Sequence, residues 1–210
     1  FQRDFSDDPV SPAYPGLGVA LADVELLKGL LLVGCNPRKE APLLALRIRK
    51  MVSEGGVVGA IGPRALDANF DVAAQQCVNP SRLTGVLCDL IEKVGTGDVE
   101  RPSFVDGGSV RNVDDTAFQA LAEVFGQARG DGAIVLGQYA LNHRDGAGLR
   151  LAAAKLAQQT GMRLGVLAPA NSAGAWWAGA VPHRGPEGAL SAGEGANASE
   201  MTDLNVHTAL

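Results

Sequence analysis

Leu30-Leu31-Leu32-Val33-Gly34-Cys35-Asn36-Pro37-Arg38-Lys39-Glu40-Ala41-Pro42, residues 30–42, is the stretch on which the reading of the fold turns. A continuous apolar run before a glycine marks a strand buried on both faces, as in a parallel sheet; a half-exposed strand would alternate in polarity. Pro42 suits the first position of a helix. Leu43, Leu44, Leu46, Ile48, Met51 and Val52 carry that helix to about Glu54, where Gly55-Gly56 stops it. Val57 to Ile61 is the next strand, closed by Gly62-Pro63. Strand, helix and strand at this spacing make a βαβ unit with parallel strands and a right-handed crossover.

A second unit follows the same pattern. Ala133-Ile134-Val135-Leu136-Gly137 is a buried strand, and residues 146–160 are helical with Leu149, Ala152, Ala153 and Leu156 inward. Gly161 caps that helix, and Leu164 to Ala168 is the strand after it. Two such units argue for an α/β fold: an open, doubly wound, mostly parallel sheet. Around them, Ala20 to Lys28 reads as a short helix ended by Gly29, and Phe70 to Ala74 as a short edge strand. Asn79-Pro80-Ser81 starts a helix with Val86, Leu87, Leu90, Ile91 and Val94 on one face. Residues 95–112 are rich in Gly, Asp and Pro and read as a loop. Asp114 caps a helix whose buried stripe is Phe118, Leu121, Ala122 and Phe125. The chain therefore divides into an extended arm (1–18), an α/β domain (19–170) and a Gly/Ala-rich packing loop and tail (171–210). In the last part Trp176 and Trp177 sit together in a loop suited to packing on a larger protein.

Composition narrows the function. The 210 residues are 46% hydrophobic and 20% charged, which is the balance of a folded chain. The net charge of −5, from 18 basic and 23 acidic residues, argues against a nucleic-acid partner and removes a polybasic route to an acidic membrane surface. No uncharged apolar run is long enough to span a bilayer, so direct membrane insertion is not expected. The chain opens on Phe1 with no leader pattern, so it is expected to be a piece of something longer. Three dispersed cysteines (Cys35, Cys77, Cys88) and three dispersed histidines (His143, His183, His207) offer neither an iron–sulfur nor a zinc ligand pattern. Each cysteine reads as a small buried hydrophobe in a reducing compartment.

Chemistry, if any, belongs at the carboxyl ends of the strands, where open α/β sheets bind ligands. At Gly34-Cys35-Asn36-Pro37 glycine lets a backbone approach closely, Asn36 carries amide donors and acceptors, and the following helix offers N–H groups to an anion. The plainer alternative is a tight turn in which Asn36 bonds its own backbone. Neither a G-x-G-x-x-G nor a G-x-x-x-x-G-K-[ST] motif occurs. Gly62-Pro63-Arg64 is a second such turn, with an arginine that suits a phosphate or simply solvent. His183-Arg184 beside the tryptophans has no triad partner in the sequence. Asp7-Asp8, Asp114-Asp115 and Arg38-Lys39-Glu40 read as solvated faces or helix caps. No catalytic and no metal-binding residue is assigned.

Taken together, residues 31–42, with Arg47-Ile48-Arg49-Lys50 after them, resemble the molybdopterin-oxidoreductase-like domain of the large iron–sulfur subunit family of bacterial NADH-quinone oxidoreductase, respiratory complex I. Gln2-Arg3-Asp4-Phe5 and Pro15-Gly16-Leu17-Gly18-Val19 look like the segment just upstream in proteobacterial members. Asn171-Ser172-Ala173-Gly174-Ala175-Trp176 and Ala178-Gly179-Ala180-Val181-Pro182-His183-Arg184 resemble a loop of the same family and are the most specific part. The likeness runs from about residue 1 to 188.

The resemblance implies 2Fe–2S and 4Fe–4S clusters in an N-terminal region that these residues do not contain, and no cluster in this chain. It implies that Gly34, Asn36 and Pro37 match the turn by which the molybdenum enzymes touch a pterin cofactor. Those enzymes tend to carry Asp-Pro-Arg after the next strand, where this chain has Gly62-Pro63-Arg64, and glycine cannot accept hydrogen bonds from a guanine base. Their Pro-Gly-Thr-Asp turn is missing too; the nearest stretch is Val78-Asn79-Pro80-Ser81. Losing a charge-assisted contact costs about 1.5–3 kcal/mol, so molybdopterin is not expected and the turn at Gly34 is expected to be vestigial. The expectation is a structural domain of the peripheral arm on the cytoplasmic side of the inner membrane. It would support NADH-to-quinone electron transfer and pack on other arm subunits and the rest of the large iron–sulfur subunit through Trp176, Trp177, His183 and Arg184. The alternatives are a cofactor-binding fragment of an active molybdopterin oxidoreductase and an unrelated α/β nucleotide-binding module.

Overall fold

The computed structural model describes Asp7 and residues 14–94 and 115–191. The loop expected over 95–112, the cap at Asp114, the acidic neighbour Asp8 and most of the tail lie outside the described residues.

Strand β1 (Gly29–Val33) is the centre of the sheet and is buried throughout. It pairs in parallel with β2 (Val57–Gly62) on one side and with β4 (Gly132–Leu136) on the other. Beyond these lie β3 (Ala74–Cys77) and β5 (Arg163–Val166) at the two edges, giving the order β3-β2-β1-β4-β5. Every pairing is parallel. The chain steps outward from β1 to β3, returns to the middle, and steps outward again from β4 to β5. That reversal, between β1 and β4, is the topological switch point of a doubly wound sheet.

Side chains of each strand alternate between two apolar layers. Leu30, Leu32, Val58, Ala60, Ala133 and Val135 meet α2 (Pro42–Ser53) through Leu44, Ile48 and Met51. Leu31, Val33, Ile61, Ile134 and Leu136 meet α3 (Leu83–Val94), α4 (Asp115–Ala128) and α6 (Gly146–Thr160). Helix α4 comes very close to the sheet: a Cβ on Gly29 would stand 2.5 Å from the Ala128 Cβ. α6 ends at Gly161 in the left-handed conformation, as its sequence implies.

Several elements differ from the sequence reading. The helix expected over 20–28 is a single 3-10 turn, Asp23–Leu26, because β1 already starts at Gly29 and only Val24 of the turn reaches the core. The edge strand is Ala74–Cys77 and not Phe70–Ala74. Phe70 and Val72 pack loosely on the α2 layer, while the pairing to β2 is made by a stretch that includes the polar Gln75 and Gln76. A short helix, α1 (Pro37–Glu40), forms inside what read as a loop. In α4 it is Leu121, Val124, Phe125 and Ala128 that are buried, with Ala122 only partly so. Cys88 is buried as expected, but Cys77 is exposed on the edge strand and Cys35 is partly covered.

The described part of the arm is docked. The Val166 N–H donates to the Gly16 carbonyl at 2.8 Å, and the backbone of Leu17 presses on Gly165, so residues 16–18 cover the open edge of β5. Asp7, which read as part of a solvated cluster, is 2% exposed and takes a two-pronged ion pair from Arg150 of α6, Nε to Oδ2 at 2.5 Å and Nη2 to Oδ1. On the other face Glu25 receives Lys50 and Arg47 of α2, and those two cations hold its carboxyl below the usual range.

Leu31→Ala, which empties the middle of the central strand, is expected to lower stability by about 2–5 kcal/mol, against under about 0.5 kcal/mol for exposed Leu46→Ala; urea midpoints at constant slope check this. Asp7→Ala is expected to cost about 3 kcal/mol because it strips the carboxylate from a shielded guanidinium, with exposed Asp71→Ala as the near-neutral control. Glu25 stabilises above the ordinary glutamate pKa, and the gain is lost as pH falls through its lowered value. Glu25→Gln should therefore lower stability at neutral and alkaline pH by a constant amount, flatten the acid limb, and converge on the wild type below the lowered pKa.

Candidate functional site

The carboxyl ends of β1 and β4 form the crest at the switch point, and the turn singled out in the sequence lies there. Gly34 leaves β1 with a positive φ of 51°, its N–H held by the Ile61 carbonyl at 2.8 Å. Its Cα faces the turn after β4 so closely that an added Cβ would sit 2.8 Å from the Ala140 nitrogen. Gly137, which ends β4, presses in turn on the backbone of Cys35 and Gly34. Tyr139 N–H donates to the Gly34 carbonyl at 3.2 Å and Gly137 N–H to the Val33 carbonyl at 3.0 Å, so the two turns are laced together.

Asn36 begins α1, but not by the self-bonding turn its type suggests. Its side chain makes no cap hydrogen bond, and its Oδ1 is shielded with no partner. Its carbonyl accepts from the N–H groups of Lys39 and Glu40 at 3.0 and 2.9 Å. Its own N–H donates to Glu40 Oε1 at 2.6 Å. The other oxygen of the same carboxylate, Oε2, accepts the N–H of Gln138 at 2.7 Å; Gln138 opens the short helix α5 (Gln138–Leu141) after β4. One glutamate therefore bridges the two turns that flank the switch point. Gln138 extends the lacing to β5, its side-chain amide donating to the Leu167 carbonyl.

Glu40 read as a member of a solvated charge cluster, and it is the residue that sequence reasoning missed. The signal was present: an acid four residues beyond an Asn-Pro helix start can reach back to the backbone N–H at that start, as in a capping box. Its neighbours behave as expected of a surface. Arg38 pairs with Asp67 at 2.9 Å in solvent, an interaction worth little. Cys35 lies beside the crest, where burial first and the Glu40 charge second push its thiol pKa up.

The other candidate residues lie apart from this turn. Arg64 is exposed after β2, and Gly62 has open space beside it. Asn79 caps the start of the helix that follows it, its Oδ1 accepting from the Ser81 N–H at 3.1 Å. A cleft of about 390 Å³ lined by Glu25, Lys28, Lys50 and Glu54 opens at the opposite, amino end of β1 and β2. Among the described residues no group of His, Cys, Asp or Glu could hold a metal ion.

Trp176 and Trp177 are not in a loop. They close a short helix, α7 (Ser172–Trp177), capped by Asn171 Oδ1 on the Gly174 N–H at 3.2 Å. Their rings are 5.5 Å apart, and Tyr14 of the arm meets them edge-on at 5.2 and 6.3 Å. The Arg184 guanidinium stacks 4.6 Å over Trp176, and the backbone of Gly188 closes against its edge. Trp176, Trp177 and Arg184 thus form one cluster, and His183 adjoins it in the chain. Trp177 is left 53% exposed and Tyr14 44% exposed.

A family model described as molybdopterin oxidoreductase matches residues 11–174. Among solved structures, a chain of the formyltransferase/hydrolase complex (FhcABCD) from Methylorubrum extorquens, determined with methylofuran, is similar at 18% identity and a TM-score of 0.46. The match covers 83% of this chain and 47% of that one, so this chain spans about half of that neighbour's length. Residues 11–174 take in all five strands and both turns of the crest, and the chain belongs to the molybdopterin oxidoreductase family.

Proposed function

We propose that this chain is the molybdopterin-oxidoreductase-like domain of the large iron–sulfur subunit of a bacterial NADH-quinone oxidoreductase, acting as a scaffold in the peripheral arm. The motifs at residues 31–42 and 171–184 support that assignment within the family. In this reading the domain performs no chemistry itself. Electrons pass along 2Fe–2S and 4Fe–4S clusters held by sequence other than these 210 residues. The domain sits on the cytoplasmic side of the inner membrane by virtue of its partners, not by insertion. Among the described residues no helix is long and apolar enough to cross a membrane.

The observation that carries the reading is the exposed aromatic face at Tyr14, Trp176 and Trp177. Between residues 171 and 191 no residue is buried. Tyr14 of the arm stacks on that segment's two tryptophans, Arg184 covers Trp176 from within the segment, and Trp177 is still left half in water. A cluster of large aromatic rings left in solvent is the ordinary mark of an association surface, and tryptophan is the residue type most often dominant in one. Trp176 is the internal anchor of that face and Trp177 its outward contact; His183 and Arg184 form its polar border.

Two measurements test this. On native gels of solubilised membranes from the source cell, an antibody to this domain should mark the band that stains for NADH oxidation. Migration as a small soluble species away from that activity overturns the assembly reading. Trp177→Ala should weaken incorporation into that complex by about 2 kcal/mol, roughly thirtyfold, while cluster spectra of the complex that still forms stay unchanged. Undiminished incorporation removes Trp177 from the interface.

A further inference from the structure

The crest does not fit the phosphate group of a pterin cofactor. In an open α/β sheet an anionic ligand at the switch point is received by backbone N–H groups of the turns that leave the flanking strands. Here those turns leave β1 and β4, and among their donors are Asn36 N–H and Gln138 N–H. Both are already taken, at 2.6 and 2.7 Å, by the two oxygens of one carboxylate. The gap above them is closed as well. Gly34 abuts Ala140 and Gly137 abuts Cys35, each so tightly that a Cβ could not be added without displacing the opposing backbone.

We propose that Glu40 is this chain's own anion at the switch point: its carboxylate takes the place of a ligand's phosphate, joins the two turns, and closes the crest to phosphate-bearing ligands. The chemistry is consistent at each step. A carboxylate accepting two backbone N–H groups makes charge-assisted hydrogen bonds, stronger than the neutral bonds of the turns around it. It is supplied from four residues away in the chain, so holding it costs little configurational freedom compared with binding a separate molecule. A second tie, from the Gln138 side chain to the Leu167 carbonyl, fixes the turn that presents one of the donors. The Asn36 and Gln138 N–H groups that in a ligand-binding relative would wait for an anion are already occupied in the folded chain. This gives Glu40 a positioning role: it sets the spacing of the β1 and β4 turns and so the floor on which α1 and α5 stand. The inference rests on this local geometry and not on the assembly reading, so the two fail separately.

The test uses the full 210-residue chain, wild type, Glu40→Ala and Glu40→Gln, with site-resolved amide hydrogen exchange. In the wild type the Asn36 and Gln138 amides should exchange slowly, and inorganic pyrophosphate should shift neither amide resonance in a saturable way. In Glu40→Ala both amides should exchange at least about tenfold faster, a loss of about 1.4 kcal/mol of protection. In Glu40→Gln only one should do so, because the amide side chain keeps one oxygen and turns an NH2 group toward the other donor. The amides of Leu31 and Ile134, in the middle of the sheet, are the reference, since general destabilisation would speed them equally. Unchanged exchange at Asn36 and Gln138 in both variants overturns the proposal. So does acceleration that is no greater there than at Leu31 and Ile134, or saturable pyrophosphate binding at these amides in the wild type.

Discussion

The pairing of β1 with neighbours on both sides is the constraint on which the rest of this protein depends. Gly29 to Val33 hydrogen-bond in register with Val57–Ile61 and with Gly132–Leu136. A strand in that position has no face or edge in water, so every one of its side chains must find an apolar partner. That requirement puts α2 on one side and α3, α4 and α6 on the other. It also places the ends of β1 and β4 next to each other although they lie far apart in sequence. The crest is a consequence of that pairing, and its two turns meet only because the strands beneath them do.

The crest shows how a doubly wound sheet can satisfy its backbone donors at the switch point with a side chain of its own. A doubly wound sheet leaves backbone N–H groups at the switch point, and buried or half-buried donors require partners. Relatives of such a sheet can meet that requirement with a ligand. Here it is met by Glu40, which reaches Asn36 within its own turn and Gln138 across the switch. The acceptor for the N–H groups at the start of the helix after β1 and at the turn after β4 therefore belongs to the chain. The wider lesson concerns charged triplets such as Arg38-Lys39-Glu40. Two members behave as a solvated surface, and the third is a structural group, because only its backbone position points the side chain at the crest.

The periphery follows a different physics from the core. Among the described residues, the arm and the segment after residue 171 bury no strand and no amphipathic helix stripe. They are joined by the edge-on stacking of Tyr14 on Trp176 and Trp177, while Arg184 covers Trp176 from within the segment and residues 16–18 lie along β5. Asp7 adds a shielded ion pair to α6. These contacts connect the two ends of the described chain, which makes them one surface with the exposed ring of Trp177 at its outer side.

Sequence alone determined the layers. The runs Leu30–Val33 and Ala133–Leu136 are short, continuous, apolar and closed by glycine, the pattern of a doubly covered parallel strand, and the helices between them show their buried stripes at the helical period. These are local signals, carried by residues close together in the chain. The edge strand escaped because its ladder is made by Gln75 and Gln76, polar residues whose backbone pairs while Phe70 and Val72 nearby attract attention by their hydrophobicity. The partner of Asp7 lies in a helix far along the chain, and that of Tyr14 at the other end of the described residues. The partner of Glu40 lies across the switch point. Each of those groups is polar or aromatic and compatible with solvent by its type. Only tertiary structure decides whether it stays there, because the choice is set by which distant backbone donor or ring the fold brings within reach.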